Sequence, residues 1–163
     1  DPIEFMDKFQ ITTSGYIKLK GLIENLKTIE RPKVISQIAA AREIGDLKEN
    51  ADYHASREKQ AFIEAQIADL EDRYLRVEII DISKLSGSKV LFGATVKIKN
   101  LDNGKITSYK IVSDFEADLD KGLISNSSPV ARAMIGKEAG EEMEIKTPGG
   151  IINYEILAVN FIE

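Results

Sequence analysis

The chain has 163 residues, 43% hydrophobic and 30% charged, which is typical of a soluble globular protein of one or two domains. It contains no cysteine and one histidine, so disulfide partners and a site of several histidines within one chain are excluded. The net charge of −5 excludes a broad basic surface for nucleic acid, and the short apolar runs exclude a membrane span, so we expect a cytoplasmic protein.

The first half of the chain predicts an antiparallel coiled-coil helical hairpin over residues 6–82, because apolar residues recur at helical spacing on both sides of a central turn. Its start is placed at Met6 because residues 1–5 are a candidate cloning remnant. Thr12, Thr13 and Ser14 offer hydroxyl groups that can cap the first helix, which is therefore expected to begin here.

Pro32 lies inside the first helical pattern and lacks a backbone donor, so a kink or break is predicted near Ile29–Arg31. The return helix is predicted over about Glu49–Ile79. The predicted seam consists of Leu19, Leu22, Leu26, Ile29, Ile35, Ile38 and Ala39 before the turn, and of Ala51, Ala55, Phe62, Ile63, Ile67, Leu70, Tyr74 and Val77 after it.

The turn, near residues 43–53, contains a glycine and is dense in carboxylates. Asp46 and Glu49 are spaced i and i+3, so both face the same way if the second helix has already begun there. Paired acids on a projecting tip are typical of a site for a hard cation. The alternative is that they only interact favourably with the positive end of the helix dipole.

The second half changes to alternating periodicity and predicts a small α+β domain of antiparallel strands and one helix over residues 89–163, after a linker at 83–88. Asn103 and Gly104 indicate a hairpin because both tolerate positive φ. Ser128-Pro129 indicates a helix start, and Gly136 its end. The strands are predicted at 90–92, 94–99, 106–112, 141–146 and 151–161, and the helix places Ala131, Met134 and Ile135 on one face.

Residues 41–55, which read ARExGDLKENADYHA with Ile44 at the variable position, resemble the tip of the Gre-type bacterial transcript-cleavage factors. The match is long and nearly gapless, and within the family it is most similar to the A type. The resemblance extends over the chain from Met6, and it implies a coiled-coil hairpin followed by a C-terminal domain of FKBP-like fold. Further matching segments are 92–96, 114–118, 123–125, 128–132, 135–137 and 146–150.

The resemblance implies that bacterial RNA polymerase is the partner, with the hairpin in its secondary channel and the C-terminal domain docked on its outer surface. Asp46 and Glu49 match the tip acids that help to hold a Mg²⁺ shared with the polymerase active site, beside the 3′ end of backtracked nascent RNA. The implied function is a transcription elongation factor that stimulates the polymerase's own transcript cleavage and rescues arrested complexes. We therefore expect a monomer that is not itself an enzyme and that binds no cofactor tightly alone, since two carboxylates are few ligands for Mg²⁺.

Three other residues near the tip are candidate RNA contacts. Arg42 and Arg57 could bind RNA phosphates, or could instead pair with Glu43 or Glu58. Tyr53 could contact RNA, although a role as a buttress for the turn is slightly favoured. The remaining polar candidates are expected to be solvated, to pack, to make a surface hydrogen bond or to contribute to docking: Lys48, His54 and Arg132.

Two alternative functions differ from transcript cleavage. The first is a binding-only regulator that occupies the secondary channel without promoting cleavage, and the presence of both tip acids argues against it. The second is an active prolyl isomerase in the C-terminal domain. The chain has no tryptophan and few phenylalanines to line such a pocket, so the implied FKBP-like fold is interpreted as a scaffold only.

Overall fold

The computed structural model describes residues 8–163, which divide into two compact units. The hairpin unit is formed by Tyr16–Val77, and the sheet unit by Phe9–Gly15 together with Glu78–Glu163. The mixed α+β class, with a long helical hairpin before a sheet domain, is confirmed. The predicted domain and linker bounds stay a prediction. None of the helices in the described part is long and apolar enough to cross a bilayer.

The helical half begins with a short strand and returns to its partner strand after the hairpin. Strand β1 pairs with β2 in a two-stranded sheet. The elements are β1 (Phe9–Thr12), α1 (Thr13–Asn25), a π-helical segment (Leu26–Glu30), α2 (Arg31–Ile44), α3 (Ala51–Leu75) and β2 (Val77–Ile80).

The start of α1, up to Gly15, belongs to the sheet unit, where a hydroxyl cap and a carboxylate of the same unit hold it. The Thr12 hydroxyl accepts the Gly15 N–H at 3.0 Å, which confirms the predicted cap. The same hydroxyl donates to the Glu116 carboxylate at 2.6 Å, and the Ser113 hydroxyl donates to this carboxylate at 2.7 Å. A Cβ on Gly15 would overlap the Glu116 carboxylate, so a larger residue here would displace that carboxylate from the cap.

We expect Gly15→Ala to lower the free energy of unfolding by about 1–3 kcal/mol, because the added methyl displaces a carboxylate bonded to two hydroxyls. In a Glu116→Ala background the same change should raise stability by up to about 1 kcal/mol, since alanine is the better helix former. Urea unfolding of the four proteins measures this cycle. An equal cost of Gly15→Ala in both backgrounds would show that the Glu116 carboxylate is not the obstacle.

The irregularity predicted around Pro32 is present as the π-helical segment Leu26–Glu30. Pro32 lies in the first turn of α2, where its missing N–H costs least. A π turn holds more residues than an α turn, so the apolar seam passes from Leu26 to Val34 and leaves Ile29 55% exposed. The regular helical spacing of the apolar residues gives no sign that the seam changes phase at this segment.

The hairpin seam is narrower than predicted. Ile63 and Ile67 of α3 pack with Val34 of α2, and Leu26 lies against them. The predicted seam residues Leu19 and Ile38 are buried as well. Several others were wrongly predicted and face solvent: Leu22, Ile29, Ile35, Ala39, Ala51, Ala55 and Phe62.

The return helix ends at Leu75, four residues before the predicted end at Ile79. Val77 lies in β2 rather than on the seam, which corrects the prediction. The β-branched run Val77, Ile79 and Ile80 favours a strand, and β1 supplies the pairing partner that the helical pattern concealed. At the end of the hairpin, the hydroxyls of Tyr16 and Tyr74 lie 2.9 Å apart.

The sheet unit contains a five-stranded sheet in the order β5-β4-β3-β7-β6. Asn103 and Gly104 lie in the turn between β3 and β4, as predicted. Helix α4 packs against β6, and its Ala131 and Met134 enter a core shared with Ile98, Ile111 and Ile156 of the sheet. The bounds are β3 (Thr95–Asn100), β4 (Ile106–Val112), β5 (Leu123–Ser125), α4 (Pro129–Met134), β6 (Glu142–Thr147) and β7 (Gly150–Asn160).

Three predictions for this unit were wrong in detail. Residues 90–92 form no strand, and an isolated bridge joins Lys89 to Glu138 beside them. Strand β5 runs parallel to β4, so the sheet is mixed rather than antiparallel. Ile135 is 40% exposed and does not share the buried face of α4. The Ser128 cap is confirmed, since its hydroxyl accepts the Ala131 N–H at 3.3 Å.

Candidate functional site: the acidic turn of the hairpin

The two candidate acids lie on one tight turn between α2 and α3. The Glu49 N–H donates to the Asp46 carbonyl at 3.2 Å, so the two residues are the first and fourth of a β-turn. The sequence predicted that Asp46 and Glu49 face the same way if the second helix has already begun there. Helix α3 begins only at Ala51, so the helix does not align them. The turn brings their backbones together instead, because its end residues have Cα atoms within about 7 Å of each other.

Both carboxylates are presented to solvent. Asp46 and Glu49 belong to the exposed residues, and in the described part of the chain neither side chain makes a hydrogen bond or an ion pair. Their oxygens are free for an external ligand. Hard oxygen donors of this kind suit Mg²⁺, which proteins often hold through one or two carboxylates together with substrate phosphates.

The backbone that enters the turn is unusual. Gly45 has φ 86° and ψ −176°, a region that is essentially restricted to glycine. Asp46 follows with φ 44°, the only positive φ outside glycine among the described residues. Asp tolerates this left-handed region better than most residues, yet it still costs free energy. A strained conformation beside an exposed acid indicates a functional turn.

Asn50 connects the two helices across the turn. Its side-chain oxygen accepts the Tyr53 N–H at 3.0 Å and caps α3. Its side-chain nitrogen donates to the Ala41 carbonyl in the last turn of α2 at 2.7 Å. The sequence reasoning missed this residue, although asparagine directly before a helix is a recognisable cap signal.

His54 makes a surface hydrogen bond, as expected. Its Nε2 lies 2.9 Å from the Lys48 carbonyl, in the middle of the acidic turn. The Lys48 side chain is exposed, in agreement with the prediction that it is solvated. The imidazole thus contacts the backbone of the turn rather than either carboxylate.

The two arginines lie on one flank of the hairpin near the tip. Arg42 and Arg57 line a concavity of about 240 Å³, and neither forms an ion pair with Glu43 or Glu58 in the described part of the chain. The guanidinium carbon of Arg42 lies 5.8 Å from the centre of the half-buried Tyr53 ring, within range of a cation–π contact. Tyr53 therefore supports Arg42 from below. Arg132 is exposed on α4, and its docking role stays a prediction.

The arrangement leaves room for a metal ion only with outside help. Among residues 8–163, no group of three or more histidine, cysteine, aspartate or glutamate side chains converges as a metal site. Two carboxylates leave most of the octahedral shell that Mg²⁺ prefers to other ligands. The assignment of Asp46 and Glu49 as metal-holding residues stays a prediction.

The fold and the site define a two-unit protein whose helical arm ends in an exposed acidic turn. Residues 9–79 match the family model described as transcription elongation factor, N-terminal, and residues 85–161 match that of transcription elongation factor, GreA/GreB, C-term. The chain therefore belongs to the GreA/GreB family of transcription elongation factors.

Relatives are similar to this chain over nearly its whole length. The transcription elongation factor GreA of Caulobacter vibrioides is 52% identical over 96% of this chain and 100% of that protein. The GreA of Phenylobacterium zucineum is 50% identical over the same shares. A solved structure of the transcription factor Gfh1 is 25% identical, covers 95% of this chain and 99% of its own, and gives a TM-score of 0.47. The FKBP-like detail stays a prediction.

Proposed function

We propose that this elongation factor acts on bacterial RNA polymerase by inserting the hairpin tip into the secondary channel and stimulating cleavage of backtracked nascent RNA. The observation that carries the proposal is the pair of exposed, unpartnered carboxylates on one turn at the end of a long arm. Two bare carboxylates are the ligands that a Mg²⁺ ion takes together with substrate phosphates, which favours cleavage over binding alone. Cleavage then restores a usable RNA 3′ end and rescues arrested complexes.

Asp46 and Glu49 are the residues of this chain that would hold a Mg²⁺ shared with the polymerase active site. Such an ion, when bound, stabilises the attacking and leaving oxygens of a phosphodiester displacement. The protein's own contribution is to present both carboxylates at fixed positions on the turn. Since the polymerase and the RNA supply the remaining ligands, the factor contributes residues in trans and is not an enzyme by itself.

Arg42 and Arg57 are proposed to contact phosphates of the backtracked RNA. Both guanidinium groups lie on the same flank and have no competing carboxylate partner in the described chain. Arginine binds phosphate through two parallel N–H donors, so two neighbouring arginines can fix the strand. Tyr53 orients Arg42 from beneath and forms part of the same surface.

The sheet unit is proposed to supply most of the binding to the outer surface of the polymerase, as an FKBP-like scaffold without isomerase activity. A monomeric, cytoplasmic factor fits this division, since one arm enters one channel. Purified protein added to stalled elongation complexes, with and without Mg²⁺, tests the proposal directly. Release of short RNA from the 3′ end is expected. Tight binding without cleavage would favour the binding-only regulator instead.

We expect no cleavage when the protein is mixed with free RNA and Mg²⁺ in the absence of polymerase. The tip offers two metal ligands, and the one histidine contacts a backbone carbonyl rather than a site for a nucleophile. Gel analysis of labelled RNA measures this, with the complete elongation complex as the positive control. Turnover of free RNA would show that the active site lies in this chain and that the proposal is misplaced.

A further inference from the structure

We infer that Asn50 is a positioning residue that fixes the acidic turn for catalysis by joining the ends of both helices, with His54 as a second tie. This inference rests on the proposed function of Asp46 and Glu49. Neither Asn50 nor His54 touches a carboxylate, so any effect on cleavage would be exerted through the backbone of the turn.

Both the nitrogen and the oxygen of the Asn50 side-chain amide make hydrogen bonds. The last carbonyls of a helix have no partner within it, and Gly45 N–H donates to Arg42 rather than to Ala41. The Asn50 nitrogen satisfies the Ala41 carbonyl at 2.7 Å and reaches the Gly45 carbonyl at 3.4 Å. Its oxygen takes the Tyr53 N–H, so only this orientation of the amide matches donors to acceptors.

These bonds hold both ends of the acidic turn. Asn50 directly follows Glu49 and is held by its bonds to Ala41 and Tyr53, and its amide nitrogen also reaches the carbonyl of Gly45, the residue before Asp46. The His54 ring contacts the Lys48 carbonyl between them. The carboxylates themselves have no contacts to restrain them in the described structure. Their placement therefore depends on the backbone of the turn, which these two side chains hold.

Asn50→Ser separates this role from helix capping. Serine is an equally good cap for Tyr53 N–H, but its hydroxyl oxygen stands where asparagine has Cγ, one bond short of the amide nitrogen that bonds the Ala41 carbonyl. At saturating factor, we expect the cleavage rate to fall about ten- to one-hundred-fold, as for a misplacement of about 1 Å. The half-saturating concentration and the melting temperature should stay near wild type. Amide hydrogen exchange within residues 46–49 should become faster while that of the hairpin seam is unchanged.

Asn50→Asp is a second variant that keeps the cap and replaces the donor with a repelling oxygen, so it should lose rate as Asn50→Ser does. Ala51→Asp is its control, since it adds the same charge one residue away without touching the network. Full cleavage by Asn50→Ser, with Asp46→Ala/Glu49→Ala inactive, would overturn the positioning role alone. A rate loss in step with melting temperature and half-saturating concentration would also overturn it. A wild-type protein without stimulation would overturn the proposed function itself.

Discussion

Replacing Asp46 and Glu49 together with alanine is expected to abolish stimulated cleavage while polymerase binding and melting temperature stay close to wild type. Both side chains are exposed and unpaired, so stability loses at most the helix-terminus effect of about 0.3–1 kcal/mol each. That is small against a folding free energy of about 5–15 kcal/mol. Loss of metal-holding groups at the reacting centre costs several kcal/mol, at least about a hundredfold in rate.

The matched control is Glu43→Ala/Asp52→Ala, which removes the same charge from exposed positions on either side of the turn. It should retain cleavage within a few-fold, because the turn keeps both of its acids. Raised Mg²⁺ should partly restore the rate of the single variants Asp46→Ala and Glu49→Ala, since one ligand remains. Melting temperature, competition for polymerase and RNA release are measured for each protein. Normal cleavage by the Asp46→Ala/Glu49→Ala variant would refute the mechanism.

Local sequence signals, such as turn and cap residues, predicted much of the fold. Features that depend on a partner far away in the sequence were not predicted. Asn103 and Gly104 specify their turn through their own backbone preferences, and Ser128 specifies its helix start. Strand β2 was missed because Val77 continues the helical spacing, and the β-branched residues that favour a strand there also need β1 as a pairing partner. Strand β5 was also missed, because its formation depends on parallel pairing with β4. The segment that connects β4 to β5 has no strand pattern of its own.

At the site, residue types were more predictable than their geometry. Two acids three residues apart lie at the two ends of one turn, whereas the sequence pattern assigned their common direction to a helix that starts only at Ala51. The proximity comes from a β-turn over residues 46–49, which the chain enters through positive φ at Gly45 and Asp46. Asn50 was overlooked because a side chain that bonds two separate helices has no signature within either one.

Gly45→Ala is expected to lower stimulated cleavage by about 10²-fold while the melting temperature changes little. Gly45 has φ 86° and ψ −176°, and a side chain in this region costs about 1–3 kcal/mol. A new Cβ would meet no atom within 4 Å, so the penalty comes from the backbone and not from a clash. An exposed turn relieves such strain by rotating its own dihedral angles, and the next residue, Asp46, moves with them.

Gly104→Ala supplies the control, because Gly104 also has a positive φ of 75°, has open space around it and lies in a turn of the sheet unit. We expect a similar or larger fall in melting temperature from this variant, with the cleavage rate unchanged. Thermal unfolding and RNA release from stalled complexes, measured side by side, separate strain in general from strain at the tip. Equal cleavage by the two variants would mean that the conformation of residues 45–46 does not set the position of the Asp46 carboxylate.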